Sequence, residues 1–105
     1  MFEKEKKNLL GLLQTAKGYE SYNEQDFELI SDVYREFSLI IGKLFKAKPN
    51  VFGNLRKYSL AEIKSHRRSI DKVGLMSVKE ENYQLFYESL VQTIESTIEY
   101  IENYV

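Results

Sequence analysis

Apolar residues recur along this chain at spacings of three and four, the period of helices that bury one face. In the first segment, from about Phe2 to Lys17, Phe2, Leu9, Leu10, Leu13 and Ala16 keep that spacing, with lysines and glutamates opposite. Gly18 stands where a helix ends in the left-handed conformation, which a residue without Cβ adopts freely. Tyr19, just after it, is placed to fold back on Leu13. A new start follows at Tyr22 to Phe27. Asn23 is the expected cap, with Ser21 and Glu24 as a competing one, and Glu24 and Asp26 suit the positive helix end. Tyr22 and Phe27 have the spacing of a hydrophobic staple across that cap.

The second predicted helix carries the clearest stripe: Phe27, Ile30, Tyr34, Phe37, Ile41 and Leu44, widened by Val33 and Ile40. Lys43, Lys46 and Lys48 favour its C-terminal end and Pro49 stops it. Its roughly 23 residues span about 35 Å. Over residues 50–58, Val51, Phe52 and Leu55 are apolar while Gly53 and Asn54 weaken a continuous helix, so a helical turn or ordered loop lids one end of the core. Ser59 to Glu62 then reads as a capping box with Tyr58 and Ile63 at staple positions, opening a third helix that buries Ile63, His66, Ile70 and Val73. Gly74 with Leu75 reads as its stop, and Ser77 to Glu80 as a second capping box. In the fourth helix Tyr83, Tyr87, Leu90, Val91, Ile94, Ile98, Ile101 and Val105 share one face. The short connection makes the third and fourth helices antiparallel neighbours. No segment alternates like a strand, and there are no repeats. The expectation is one all-α domain over residues 1–105, an antiparallel four-helix bundle with a short helical turn or ordered loop before the third helix.

Composition narrows the chemistry. With 43% hydrophobic and 30% charged residues and one proline, the 105 residues match neither a disordered tail nor a membrane protein. Lys4, Lys6 and Lys7 precede Leu9-Leu10-Gly11-Leu12-Leu13, but that run is too short for a signal peptide, and no transmembrane segment is expected. The absence of cysteine removes disulfides, thiolate nucleophiles and Cys-ligated zinc, and a cytoplasmic location fits it.

Charge is lopsided. Residues 50–79 carry Arg56, Lys57, Lys64, Arg67, Arg68, Lys72 and Lys79 against Glu62 and Asp71, whereas residues 80–105 carry six glutamates and no cation. Lys64, Arg68 and Lys72 project opposite the apolar face of the third helix, and Glu81, Glu88, Glu95, Glu99 and Glu102 along a flank of the fourth. Two adjacent helices of opposite charge can complement each other. Alternatively, Lys64, Arg67, Arg68 and Lys72 bind an anion: nucleic acid, a phosphorylated headgroup or an acidic partner. The acidic last helix disfavours a phosphate backbone.

Catalytic patterns are missing. His66, the one histidine, has Glu62 a turn earlier, which furnishes two ligands where metal sites take three or four. Glu95, Glu99 and Glu102 lie on a polar flank with nothing to desolvate them. The glycines form no phosphate-cradling cluster, and the arginine-and-histidine nuclease motif of some helical RNases is absent. The chain is expected to be no enzyme and to take no cofactor or metal. Leu29, Leu39, Phe45, Leu85 and Tyr100 lie off the core stripes; if several converge they mark a partner or homodimer surface.

In plan the chain resembles the pediocin-like bacteriocin immunity proteins. The likeness lies in size, a lysine-rich first helix (Lys4, Lys6, Lys7), four helices and absent cysteine. It is closest from Pro49 to Leu90, where Leu55, Ile63, Leu75, Ser77, Asn82, Leu85 and Leu90 look like that family's third helix, turn and fourth helix. The resemblance implies a cytoplasmic protein that protects its producer by recognising a bacteriocin-bound membrane receptor, without catalysis. The residues themselves favour a non-enzymatic protein-interaction module, such as an immunity or inhibitor protein. The alternative is a small nucleic-acid-associated regulator of phage or plasmid type that uses the basic third helix.

Overall fold

The computed structural model describes residues 2–72 and 76–104, and within them all side chains but those of Asp71, Lys72 and Ser77. The helices are α1 (Glu3–Lys17), α2 (Phe27–Ala47), α3 (Pro49–Asn54), α4 (Leu60–Lys72) and α5 (Met76–Tyr104), with a π-helical turn at Leu55–Ser59 between α3 and α4. α1, α2, α4 and α5 form an antiparallel bundle about 44 × 24 × 18 Å in extent. No helix among the described residues is long and apolar enough to cross a membrane.

The predicted stripes face one common core except on α1, where Leu10, assigned to the stripe, is exposed and Leu13 half-buried, while Leu12 takes the buried position. Leu9, Leu12 and Ala16 of α1 meet Ile30, Val33, Phe37, Ile41 and Leu44 of α2, Ile63 and Ile70 of α4, and Tyr83, Leu90, Ile94, Ile98 and Ile101 of α5. Phe86 is also fully buried, and so are Thr97 and, nearly so, Thr93. The two threonine hydroxyls donate to carbonyls one turn back, Thr93 to Ser89 at 2.6 Å and Thr97 to Thr93 at 2.7 Å. That bond satisfies a hydroxyl inside an apolar interface. α5 packs most extensively along α4 and next along α1. A Lys6–Glu102 ion pair at 3.0 Å ties the start of α1 to the end of α5.

The helix ends depart from the sequence reading in three places. Gly18 is right-handed, at φ −75° and ψ −11°. The helix closes instead through bonds from Gly18 N–H to the Thr15 carbonyl and from Tyr19 N–H to that of Ala16, so its last carbonyls need no left-handed residue. The left-handed residue is Phe2, at φ 63°, whose ring meets Phe52 edge-on at 6.2 Å. Asn23 does accept the Gln25 N–H at 2.9 Å, but in a turn that precedes the helix, which begins at Phe27. The Tyr22–Phe27 staple forms, with ring centroids 6.5 Å apart.

The third departure concerns Ser59. Pro49 ends α2 and is also the first residue of α3, where its missing N–H is not needed. From there the chain stays helical to Lys72, and Ser59 lies inside the π-turn rather than capping α4. The Leu60 N–H donates to the Leu55 carbonyl five residues back. One inserted residue gives Leu55 and Ile63, eight apart, the phase of residues seven apart. Phe52, Leu55, Ile63 and Ile70 therefore all reach the core. Val73, Gly74 and Leu75 lie outside the described residues, and Ser77 is already within α5.

An aromatic cluster closes the end opposite α3. Tyr83 stacks among Tyr22, Phe27, Phe86 and Tyr87, and its hydroxyl donates to the Tyr19 carbonyl. Burial first, then the neighbouring Tyr87 and Asp26, push the Tyr83 phenol up to about 12 from its ordinary 10.0. A raised folded-state value means that stability is fully present below pH 10 and is lost as pH rises through 12. An ultraviolet titration should show late-ionising tyrosine accompanied by unfolding. Tyr83→Phe should remove that step and lower stability at neutral pH by roughly 1–2 kcal/mol, by stranding the Tyr19 carbonyl. Tyrosines that all ionise together near pH 10 in a folded chain would contradict this picture.

Candidate functional site

α4 presents its buried edge, Ile63 and Ile70, to the core, so the opposite edge is open. Lys64 and Arg68 stand one turn apart there and line a shallow groove of about 310 Å³ with Ala61, Ser65 and Ser69. The Ser69 hydroxyl donates to the Ser65 carbonyl one turn back at 3.1 Å. Among the described residues neither Lys64 nor Arg68 has a carboxylate within 4.0 Å. Two cations at one-turn spacing with small polar neighbours can hold an acidic group by charge and by hydrogen bonding together.

The other two residues of the predicted cluster are placed differently. Arg67 turns away from the groove and into the seam with α2. Its Nε lies 3.3 Å from the hydroxyl of fully buried Ser31, and its Cζ 5.4 Å from the centre of the Phe27 ring. Its guanidinium thus helps to hold α4 against α2. Lys72 ends α4, and its side chain is outside the described residues. At the other end of the helix, Arg56 lies over Phe45 at 4.6 Å and Lys57 over exposed Tyr58 at 5.3 Å.

Among the described residues no ion pair links the basic groups of α4 to the carboxylates of α5. Glu81, Glu88, Glu95, Glu99 and Glu102 are all exposed. Glu102 pairs with Lys6, and Glu88 accepts from Gln84 at 3.1 Å. The α4–α5 seam is lined by neutral polar groups, Ser59, Ser89, Gln92, Thr93 and Ser96, with Glu62 at its margin. The short side chains at 89, 93 and 96 were the sequence signal for this seam, since their spacing is helical and none carries charge.

His66 is half-buried, its Nε2 3.6 Å from the Glu62 Oε1. Among the described residues no group of three potential ligands converges on a metal-sized site. Of the off-stripe apolar residues, Leu29, Leu39 and Leu85 are exposed. Phe45 and Tyr100 are half-buried against the core, Phe45 under Arg56 and Tyr100 between Phe52 and Tyr104. No known protein family, characterised protein or solved structure matches the chain.

Proposed function

We propose that this protein is a non-enzymatic interaction module that docks an acidic protein surface on the outward face of α4. The observation that carries the reading is the pair Lys64 and Arg68, one turn apart, exposed and without ionic partners among the described residues. An uncompensated pair of cations contributes nothing to the fold, so an external anion is the simplest use for it. The acidic facet of α5 lies on the same molecule and repels a long phosphate backbone, which favours a compact acidic patch over nucleic acid. An immunity or inhibitor protein that recognises a membrane receptor complex from the cytoplasmic side is the narrower form of this proposal. It draws on the helical plan and the lysines of α1.

The test is a tagged pull-down from the source cell, split into soluble and membrane fractions, with K64E/R68E beside wild type. A protein partner should be retained in moderate salt and lose at least about tenfold in affinity to the variant, or ~1.4 kcal/mol. Both positions are exposed, so thermal stability should change by less than about 0.5 kcal/mol. Nucleic acid recovered by wild type and lost by the variant, with binding that falls steeply with salt, would put the regulator in its place.

A further inference from the structure

The outward face of α2 carries a pattern that the fold does not use. Leu39, at its centre, is 69% exposed, the highest value for a large apolar side chain among the described residues. On the N-terminal side lie exposed Glu28, Asp32 and Glu36; on the C-terminal side lie exposed Lys43 and Lys46. Glu28 and Asp32 share Arg35. Glu36, Lys43 and Lys46 have no ionic partner within 4.0 Å among the described residues.

A helix dipole favours acid-first, base-last order, but its influence is confined to the first and last turns. Glu36 is the tenth of 21 residues, so the dipole does not account for it. Glu36 and Lys43 are seven apart and too far along one helix to pair with each other. The glycines nearby are equally unexplained from within. A Cβ at Gly11 or Gly42 would meet nothing within 4 Å, although glycine in a helix interior is destabilising relative to alanine. Gly11 lines the open groove of about 600 Å³ between α1 and α2, whose other wall includes Glu36, Leu39, Ile40 and Lys43.

We infer that a second copy of this chain packs on this face, its α2 antiparallel to the first about a two-fold axis at Leu39. The charge order decides the partner, because an antiparallel copy is its own complement. Asp32 lies seven residues before Leu39 and Lys46 seven after it, so each Asp32 meets the other copy's Lys46. Glu36 and Lys43 lie on the same side of the stripe, three and four residues from the axis, and meet in the same way. The two Leu39 side chains pack at the centre, against the groove that Gly11 leaves open. A face one helix wide is at the small end of specific interfaces, so the dimer forms in a concentration-dependent equilibrium.

Sedimentation equilibrium of the full chain tests this. Wild type should self-associate, more weakly as salt rises, and Leu39→Glu should be monomeric. Glu36→Lys and Lys43→Glu should each weaken association at least about tenfold, by setting like charges together. Mixed in equal amounts, those two variants should form a heterodimer, because every opposed pair is then opposite in charge. All the substituted positions are exposed, and circular dichroism should show unchanged helix content. K64E/R68E should dimerise as wild type does, which separates this inference from the function proposed for α4. A wild type that stays monomeric up to about millimolar concentration, or a mixture that does not recover association, overturns the inference.

Discussion

Phe86→Ala is expected to remove about 3–5 kcal/mol of stability, the range for truncating a fully buried phenylalanine. Phe86 is inaccessible to solvent and touches rings from two helices: Phe27 and Tyr34 of α2 and Tyr83 of its own helix. These ring contacts join α2 to α5 through the core. Alanine leaves a void that helices fixed on both flanks cannot close, so the cavity adds to the lost transfer energy. A chain of this size has roughly 5–15 kcal/mol in total, so the variant should be marginal or partly unfolded at ambient temperature. Urea denaturation gives the check: the midpoint should fall sharply while the slope, set by the surface exposed on unfolding, stays the same. A loss below about 1 kcal/mol would mean that the cluster around Tyr83 does not hold the two helices together.

Phe86 also marks the limit of what the pattern of residues could reveal. The helical face drawn through Tyr83, Tyr87, Leu90, Val91, Ile94, Ile98 and Ile101 turns to the core, with Val91 half-buried, but it is too narrow; Val105, also assigned to it, lies outside the described residues. α5 packs on both α1 and α4, and a helix with two neighbours buries a wider arc than one stripe. Phe86, Thr93 and Thr97 fall on the side toward the rest of the bundle, and threonines are easily taken for surface residues. Their carbonyl bonds one turn back, Thr97 to Thr93 and Thr93 to Ser89, are invisible to a count of apolar residues.

Helix boundaries were legible where the signal was a side-chain contact and illegible where it was a backbone conformation. The Tyr22–Phe27 staple formed because two rings five residues apart meet across any tight entry to a helix. Gly18 and Ser59 misled because glycine and serine permit a helix end without compelling one. At Ser59 the core settled the matter. Keeping Phe52 and Leu55 in phase with Ile63 required a helix continuous through one extra residue, and a capped restart would have broken it. The candidate site divided in the same manner. Helical projection grouped Lys64 and Arg68 on the outer edge of α4, and the structure places them there. Arg67 borders that edge by angle alone, and only the positions of Ser31 and Phe27 on α2 draw it inward. Which neighbour a boundary residue chooses is a tertiary fact.

Phe52→Ala is expected to have an effect of similar size, about 3–4 kcal/mol, but a different character. Phe52 is fully buried at the α3 end, its ring against Phe2 at 6.2 Å and Tyr100 at 6.5 Å. It anchors three things at once: the short helix α3, the first turn of α1 through Phe2, and the last turn of α5 through Tyr100. A six-residue helix has too few internal bonds to persist without tertiary support. Phe2 holds a left-handed backbone that disfavours a residue with a Cβ, and ring packing is what offsets that strain. Removing Phe52 should therefore release the lid before the bundle melts. Amide hydrogen exchange should quicken across residues 49–59 and the first turn of α1, while Ile63, Leu90 and Ile94 keep their protection. The urea slope should fall, because part of the surface exposed on unfolding is already open in the folded variant. The slope is the feature that separates this variant from Phe86→Ala. An unchanged slope with uniform loss of protection would show that α3 and the π-turn belong to the same cooperative unit as the four long helices. Phe52 would then be one more core residue and not the anchor of a lid.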